Sequence, residues 1–280
     1  MRRILALLLL FVLPGRALGL QPGVALRWDS CLGDGGTENR AFACDTNAGS
    51  ETLVASFVPG RDFNGVTGYE PQVDFFASTG GVPAWWFMKN IGTCRTSSIS
   101  TLFTPPVGAA ACIDAAPGLF AGGIGAYAIG FDTPDRIRVR LACAVPPADT
   151  FSLFKGEHYF AFRILINHAK TIGAGSCAGC AVPMCIGFSG MRIASLDLDP
   201  ELTPDCPYFL PVCGTRYMFG AADGAASDRV TWQGGVMPVF VTGPRYGFEM
   251  PNAFDIFQVA CSAATPVRTS TWGAIKSLYR

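Results

Sequence analysis

The sequence predicts an all-β protein: an antiparallel β-sandwich, jelly-roll or immunoglobulin-like, with disulfide-stapled loops and a short C-terminal helix. Three observations predict it. Apolar residues recur with period two in many short runs, as in Ile137, Val139 and Leu141 alternating with Arg136, Arg138 and Arg140. Turn formers separate the runs, drawn from 33 Gly and 20 Pro. Helical periodicity is nearly absent before residue 270. Half of the 280 residues are apolar and only 15% are charged, which excludes a disordered chain. Basic and acidic residues balance at 21 each, so there is no basic field for nucleic acid.

The chain opens on a basic head, Arg2 and Arg3, followed by the apolar run Ile4 to Leu13. Pro14 and Gly15 break the run, and Ala17-Leu18-Gly19 places small residues at −3 and −1. This order reads as a secretory signal peptide over 1–19, cleaved after Gly19. Its apolar run is too short for a bilayer, which takes ~20 residues. Cleavage would remove three arginines and no acid, leaving 18 basic and 21 acidic groups and a net charge of −3. No later segment reads as a transmembrane helix, so a secreted or cell-surface location is expected. No Asn-x-Ser/Thr acceptor occurs, which is compatible with bacterial export.

Strands are then expected at Val24–Asp29, Thr52–Val58, Pro71–Ser78, Ala84–Lys89, Ser97–Thr104 and Ala126–Asp132. Further runs fall at 136–145, 157–167, Met184–Leu196, Arg229–Gln233 and Phe254–Ala260. One sandwich over 20–262 accounts for them; two smaller sandwiches breaking near 146–150 is the alternative. Residues 263–280 read as a linker and a short helical element, with Trp272, Ile275, Leu278 and Tyr279 at helical spacing. It is either a docked helix or an attachment signal.

All 11 cysteines follow the signal peptide, and export makes disulfides the default. Local spacing suggests Cys31 with Cys44, Cys94 with Cys112, and Cys206 with Cys213. The count is odd, and Cys143, at an alternating strand position among apolar neighbours, is the candidate free thiol. Cys177, Cys180 and Cys185 with His168 could make a zinc site. Oxidising export favours a stapled loop there instead.

Catalytic material is scarce. The two histidines, His158 and His168, lie ten apart on one strand and its exit, too far to share a site. Gly187-Phe188-Ser189-Gly190 lacks the spacing of a nucleophile elbow, and nucleotide and metalloprotease motifs are absent. Asp29, Asp34 and Asp45 are candidate Ca²⁺ ligands, although they miss the D-x-[DN]-x-[DN]-G spacing; no other cofactor is expected. Trp85 and Trp86, adjacent on an expected strand, should point to opposite faces. With Trp232 they are the candidate binding platform, since exposed tryptophans stack on sugars and anchor protein contacts.

Several blocks carry a resemblance: LRWDSC at 26–31, FACDTNAGS at 42–50, PAWWFMKNIGTCR at 83–95, INHAKTIGAGSCAGCAVPMC at 166–185, TWQGG at 231–235 and STWGAIKSLYR at 270–280. Together they resemble a group of secreted, cysteine-containing bacterial proteins that recur as many paralogues and have no assigned activity. The resemblance implies export, an all-β body and a shared C-terminal element; Cys206 and Cys213 look like an elaboration of this chain. More distantly the body is similar to cohesin and carbohydrate-binding sandwiches, a likeness of fold only. The expectation is a non-catalytic sandwich that binds glycan or a surface protein or builds a surface layer. A secreted glycosidase-like hydrolase using loop carboxylates is the alternative.

Overall fold

Among the described residues, a computed structural model holds twelve strands and one 3₁₀ turn. The structure describes residues 20–196, the backbone of Thr215–Met218, Ala222, and residues 227–235. The expected signal peptide, Cys206, Cys213, Cys261, the Phe254–Ala260 strand and the C-terminal element lie outside the described residues.

The smaller sheet holds β1 (Gly23–Trp28), β3 (Ser50–Val58), β9 (Tyr159–Asn167) and β5 (Ile99–Leu102), in the order β1-β3-β9-β5. The larger sheet runs β2-β12-β10-β4-β7-β6. Its strands are β2 (Asn39–Arg40), β12 (Arg229–Trp232), β10 (Met184–Ser195), β4 (Phe63–Ala77), β7 (Arg136–Ala144) and β6 (Ala121–Ile129). Two short strands flank it: β8 (Phe151–Leu153) pairs β4, and β11 (Thr215–Met218) pairs β10. All pairings are antiparallel except β12 with β2.

The two sheets stack face to face over one core. Period two sends Leu53, Phe57, Phe162 and Ile164 inward from one sheet, and Val73, Phe75, Ile137 and Phe188 from the other. Contacts cross between the sheets. Phe162 meets Phe188 edge-on at 5.2 Å, and the Tyr69 hydroxyl donates to the Ala161 carbonyl at 3.2 Å. Residues 146–150 form a turn between β7 and β8, and strands from either side of it pair in both sheets.

Two element expectations are corrected. Ala84–Lys89 is not a strand. Pro83 starts a 3₁₀ turn, Ala84–Trp86, in which Trp86 N–H donates to Pro83 O and Phe87 N–H to Ala84 O. The strand expected at Pro71–Ser78 begins eight residues earlier, at Phe63. Pro71 lies inside β4, where pairing with β7 passes from Tyr69–Cys143 to Gln72–Arg140. A proline has no N–H for the ladder, so it reads as a boundary although the strand runs through it.

The alternation along β7 implies one buried face and one wet arginine face. Arg140 is exposed, yet Arg136 and Arg138 are only 2% and 3% exposed. Both converge on Asp74 of β4, which is fully buried. Arg136 donates from Nη2 to Asp74 Oδ2 at 2.8 Å, and Arg138 from Nε to Oδ1 at 2.9 Å. Ser189 of β10 donates to the same carboxylate, and Arg136 also reaches Asp132 at 2.9 Å. Phe131 covers Arg138, its ring centroid 4.1 Å from the guanidinium carbon. One carboxylate thus joins three neighbouring strands.

Candidate functional site

The three tryptophans expected to form a binding platform are all fully buried. Trp85 and Trp86 leave the strand geometry that would have split them between two faces, and the 3₁₀ turn folds both rings inward. Trp85 stacks on Trp232 at 5.4 Å, Trp86 meets Trp232 edge-on at 5.4 Å, and Trp28 lies 5.9 Å from Trp232. Trp28 donates to Thr231 O, Trp85 to Thr171 Oγ1 and Trp232 to Cys180 O. The buried Trp86 N–H has no acceptor among the described residues. These rings form an aromatic core beneath one end of the sandwich, so no ring face is available to stack on a sugar. Trp232→Ala is expected to cost about 3–5 kcal/mol by leaving a cavity at the centre of this packing. Urea denaturation measures it, and an unchanged midpoint would place the ring outside the core.

Disulfides close the same end. Cys44 pairs with Cys180 and Cys94 with Cys177, while Cys31 pairs with Cys112 further along. The local pairs Cys31–Cys44 and Cys94–Cys112 are therefore corrected: each loop is tied to a segment distant in sequence. Cys177 and Cys180 go to different partners, and Cys185 is disulfide-bonded to a partner outside the described residues. Zinc needs thiolates, and these sulfurs are oxidised, so the zinc reading is overturned. Cys143 is the free cysteine among the described residues, as expected from its position. Burial beside Tyr69 pushes its thiol up to about 12, which keeps it a thiol and unreactive.

Polar side chains lock the loops that carry these bonds. Arg95 lies over Trp85 with its guanidinium carbon 3.6 Å from the ring centroid. It donates to the carbonyls of Trp85, Asn167 and Ala169. Burial without a carboxylate lowers it to about 10. His168 sits at the end of β9, stacked on Phe42 at 3.8 Å. Its Nδ1–H donates to the Ala48 carbonyl at 2.6 Å, and its Nε2 faces Glu51 Oε1 at 3.1 Å. Glu51 also pairs with Arg40, which reaches on to Asp29. Asp29, Cys44, Lys170 and Gln233 adopt left-handed φ of 70°, 57°, 59° and 57° on these loops. Such residues persist where the surroundings over-determine them, and here the disulfides, Arg95 and His168 do so.

The candidate Ca²⁺ ligands do not converge. Asp29 pairs with Arg40. Asp34 accepts the backbone N–H groups of Ala110 and Ala111 at 3.0 and 2.9 Å. Asp45 is exposed beside Cys44. Asp34 does lie near the sulfurs of Cys31 and Cys112, but those are bonded to each other and offer no thiolate. Other carboxylates are similarly engaged: Glu38 with Arg27 and Glu70 with Arg192.

His158 sits at the opposite end of β9 from His168, with Nε2 2.8 Å from Ser56 Oγ. Burial lowers its pKa, against smaller opposing effects of Ala111 and Asp34. The folded state therefore resists protonation more than the unfolded chain does. Its contribution is fully present above the unfolded pKa of ~6.5 and is lost as pH falls through the lowered folded value. Stability should fall below about pH 6.5, and His158→Gln should flatten that slope; a wild-type denaturation midpoint that does not change in this range contradicts it.

The Asp74 cluster is the feature that sequence reasoning missed. Arg136 and Arg138 were visible as an alternating pair, but nothing in the sequence aligned Asp74 and Ser189 with them. Comparison with known proteins finds no family model and no curated protein that matches the chain.

Proposed function

We propose that this protein is an exported, non-catalytic β-sandwich that works at the cell surface by contacting other proteins or by forming part of a surface layer. The observation that carries this reading is the engagement of its chemistry-bearing side chains. His168, Glu51, Asp29, Asp34 and Asp74 all bond within the chain, and the aromatic rings that would face a sugar are core. The long-range disulfides and the signal-peptide-like start support export. No helix among the described residues is long and apolar enough to cross a membrane. Buried tryptophans favour protein contact over glycan stacking.

The test is to incubate the purified oxidised protein with the surface fraction of its source cells and, in parallel, with a panel of polysaccharides. Saturable retention on the surface fraction without release of sugar is the expected result. Polysaccharide turnover that is lost on substituting a pair of carboxylates would overturn the reading in favour of a hydrolase.

A further inference from the structure

We propose that Cys185 of β10 is bonded to Cys261, so that a disulfide straps the chain that follows β12 onto the outer face of the larger sheet; this rests on the export proposed above. Cys185 forms a disulfide, and its partner is none of the other described cysteines. Of the 11 cysteines, that leaves Cys206, Cys213 and Cys261. The Cys185 side chain points away from the core. Ile186 and its cross-strand neighbour Phe75 belong to the core. Period two therefore turns Cys185 and its own neighbour Phe76 to the other face, the one that carries Asp74.

Register and chain length decide among the three. β11 pairs with the far end of β10, with Thr215 opposite Ala194. Ala194 is nine residues from Cys185, about 30 Å along a strand. Cys213 lies two residues before Thr215 and reaches at most ~7 Å from it. It therefore stays roughly 15 Å or more from Cys185, whereas bonded cysteines have Cα atoms within ~7 Å of each other. Cys206 lies nine residues before Thr215 and ten after Leu196, whose N–H donates to Gly65 O just past the end of β10. To meet Cys185, both arms would have to run back along the strand at full extension, ~3.3–3.6 Å per residue. Pro204, Pro207 and Pro211 in those arms favour a shorter rise of ~3.1 Å.

Cys261 has neither constraint. Thr231 of β12 lies directly opposite Cys185, and Trp232 opposite Met184. Gly235, the last described residue, still lies against Met184: a Cβ there would sit 2.6 Å from the Met184 carbonyl oxygen. The chain thus leaves β12 beside Cys185, and Cys261 follows 26 residues after Gly235. Closing a loop of that length costs little more than closing a shorter one. Bond formation breaks two S–H bonds and makes one S–S bond. The two electrons and two protons pass to the disulfide of a thiol–disulfide exchange oxidant in the export compartment, which becomes a dithiol. Cys206 and Cys213, with six residues between them, then remain to bond each other. Trp272 of the C-terminal element lies 11 residues beyond Cys261, so the strap holds it within about 45 Å of Cys185. The bond thereby sets the side of the body from which that element is presented.

Tryptic mapping of the purified oxidised protein without reduction tests this. Cleavage after Lys170, Arg192, Arg216, Arg245 and Arg268 puts Cys185 in fragment 171–192, Cys206 and Cys213 in 193–216, and Cys261 in 246–268. The expected map joins 171–192 to 246–268, with 193–216 running alone and two hydrogens lighter than its dithiol. Cys261→Ser should add Cys185 to Cys143 as thiols alkylated after denaturation, whereas Cys206→Ser should add Cys213 and leave Cys185 bonded. Fragment 193–216 linked to 171–192, or Cys261 alkylated in the wild type, overturns the bond. Cys185 bonded to another cysteine leaves the proposed function standing, whereas a map with every cysteine alkylated removes export together with the bond.

Discussion

Removing the Cys44–Cys180 bridge, as Cys44→Ala/Cys180→Ala, is expected to be the most damaging pairwise change in the described body. The bond closes a separation of 136 residues. With Cys94–Cys177 already tying the same segments in the otherwise oxidised protein, the bond removes unfolded-chain entropy equivalent to about 4 kcal/mol. Ordinary domains have only ~5–15 kcal/mol in total, so the variant should be largely unfolded at physiological temperature. The bridge also fixes Cys180, whose carbonyl accepts the Trp232 N–H at 2.8 Å, so its loss loosens the aromatic core as well. Urea denaturation of the otherwise oxidised protein reads the effect. A loss below about 1 kcal/mol would mean that the loops before β3 and β10 are held by packing alone.

Asp74→Asn is expected to cost about 3–5 kcal/mol, a large effect for a near-isosteric change. The substitution leaves the guanidinium groups of Arg136 and Arg138 almost fully buried without their shared carboxylate. The asymmetry between breaking and replacing a buried ion pair supplies a stringent control. Asp74→Leu combined with Arg136→Met and Arg138→Met removes all three charges and should recover most of the loss. Equal stability of the triple variant and Asp74→Asn would show that the cost comes from shape rather than from stranded charge.

The fold class was legible because period two survives in β3, β7 and β9, where one face meets the core. It failed where a local rule competed. Pro71 hid half of β4, and the glycines at 122, 123 and 125 made the first half of β6 look like a loop. The site was less legible, because it depends on register and on distant contacts. Trp85 and Trp86 look like a strand pair until Pro83 turns them into a 3₁₀ segment. Cys44 has a near neighbour in sequence at Cys31, yet the sandwich brings the loop after β9 closer. Asp74 lies on β4 and Arg136 and Arg138 on β7, and only the pairing of these strands places Asp74 opposite Arg138. His168, by contrast, falls at the exit of an expected strand, and there its ring is held by the Ala48 carbonyl, Glu51 and Phe42.

Peptide mapping of the purified protein under non-reducing conditions, with free thiols alkylated after denaturation, tests the long-range closure of the sandwich most directly. The expected result includes the linked pairs Cys31–Cys112, Cys44–Cys180 and Cys94–Cys177, with Cys185 also bonded and Cys143 alkylated as a thiol. Local pairs Cys31–Cys44 and Cys94–Cys112, or free thiols at Cys177, Cys180 and Cys185 with retained zinc, would contradict it.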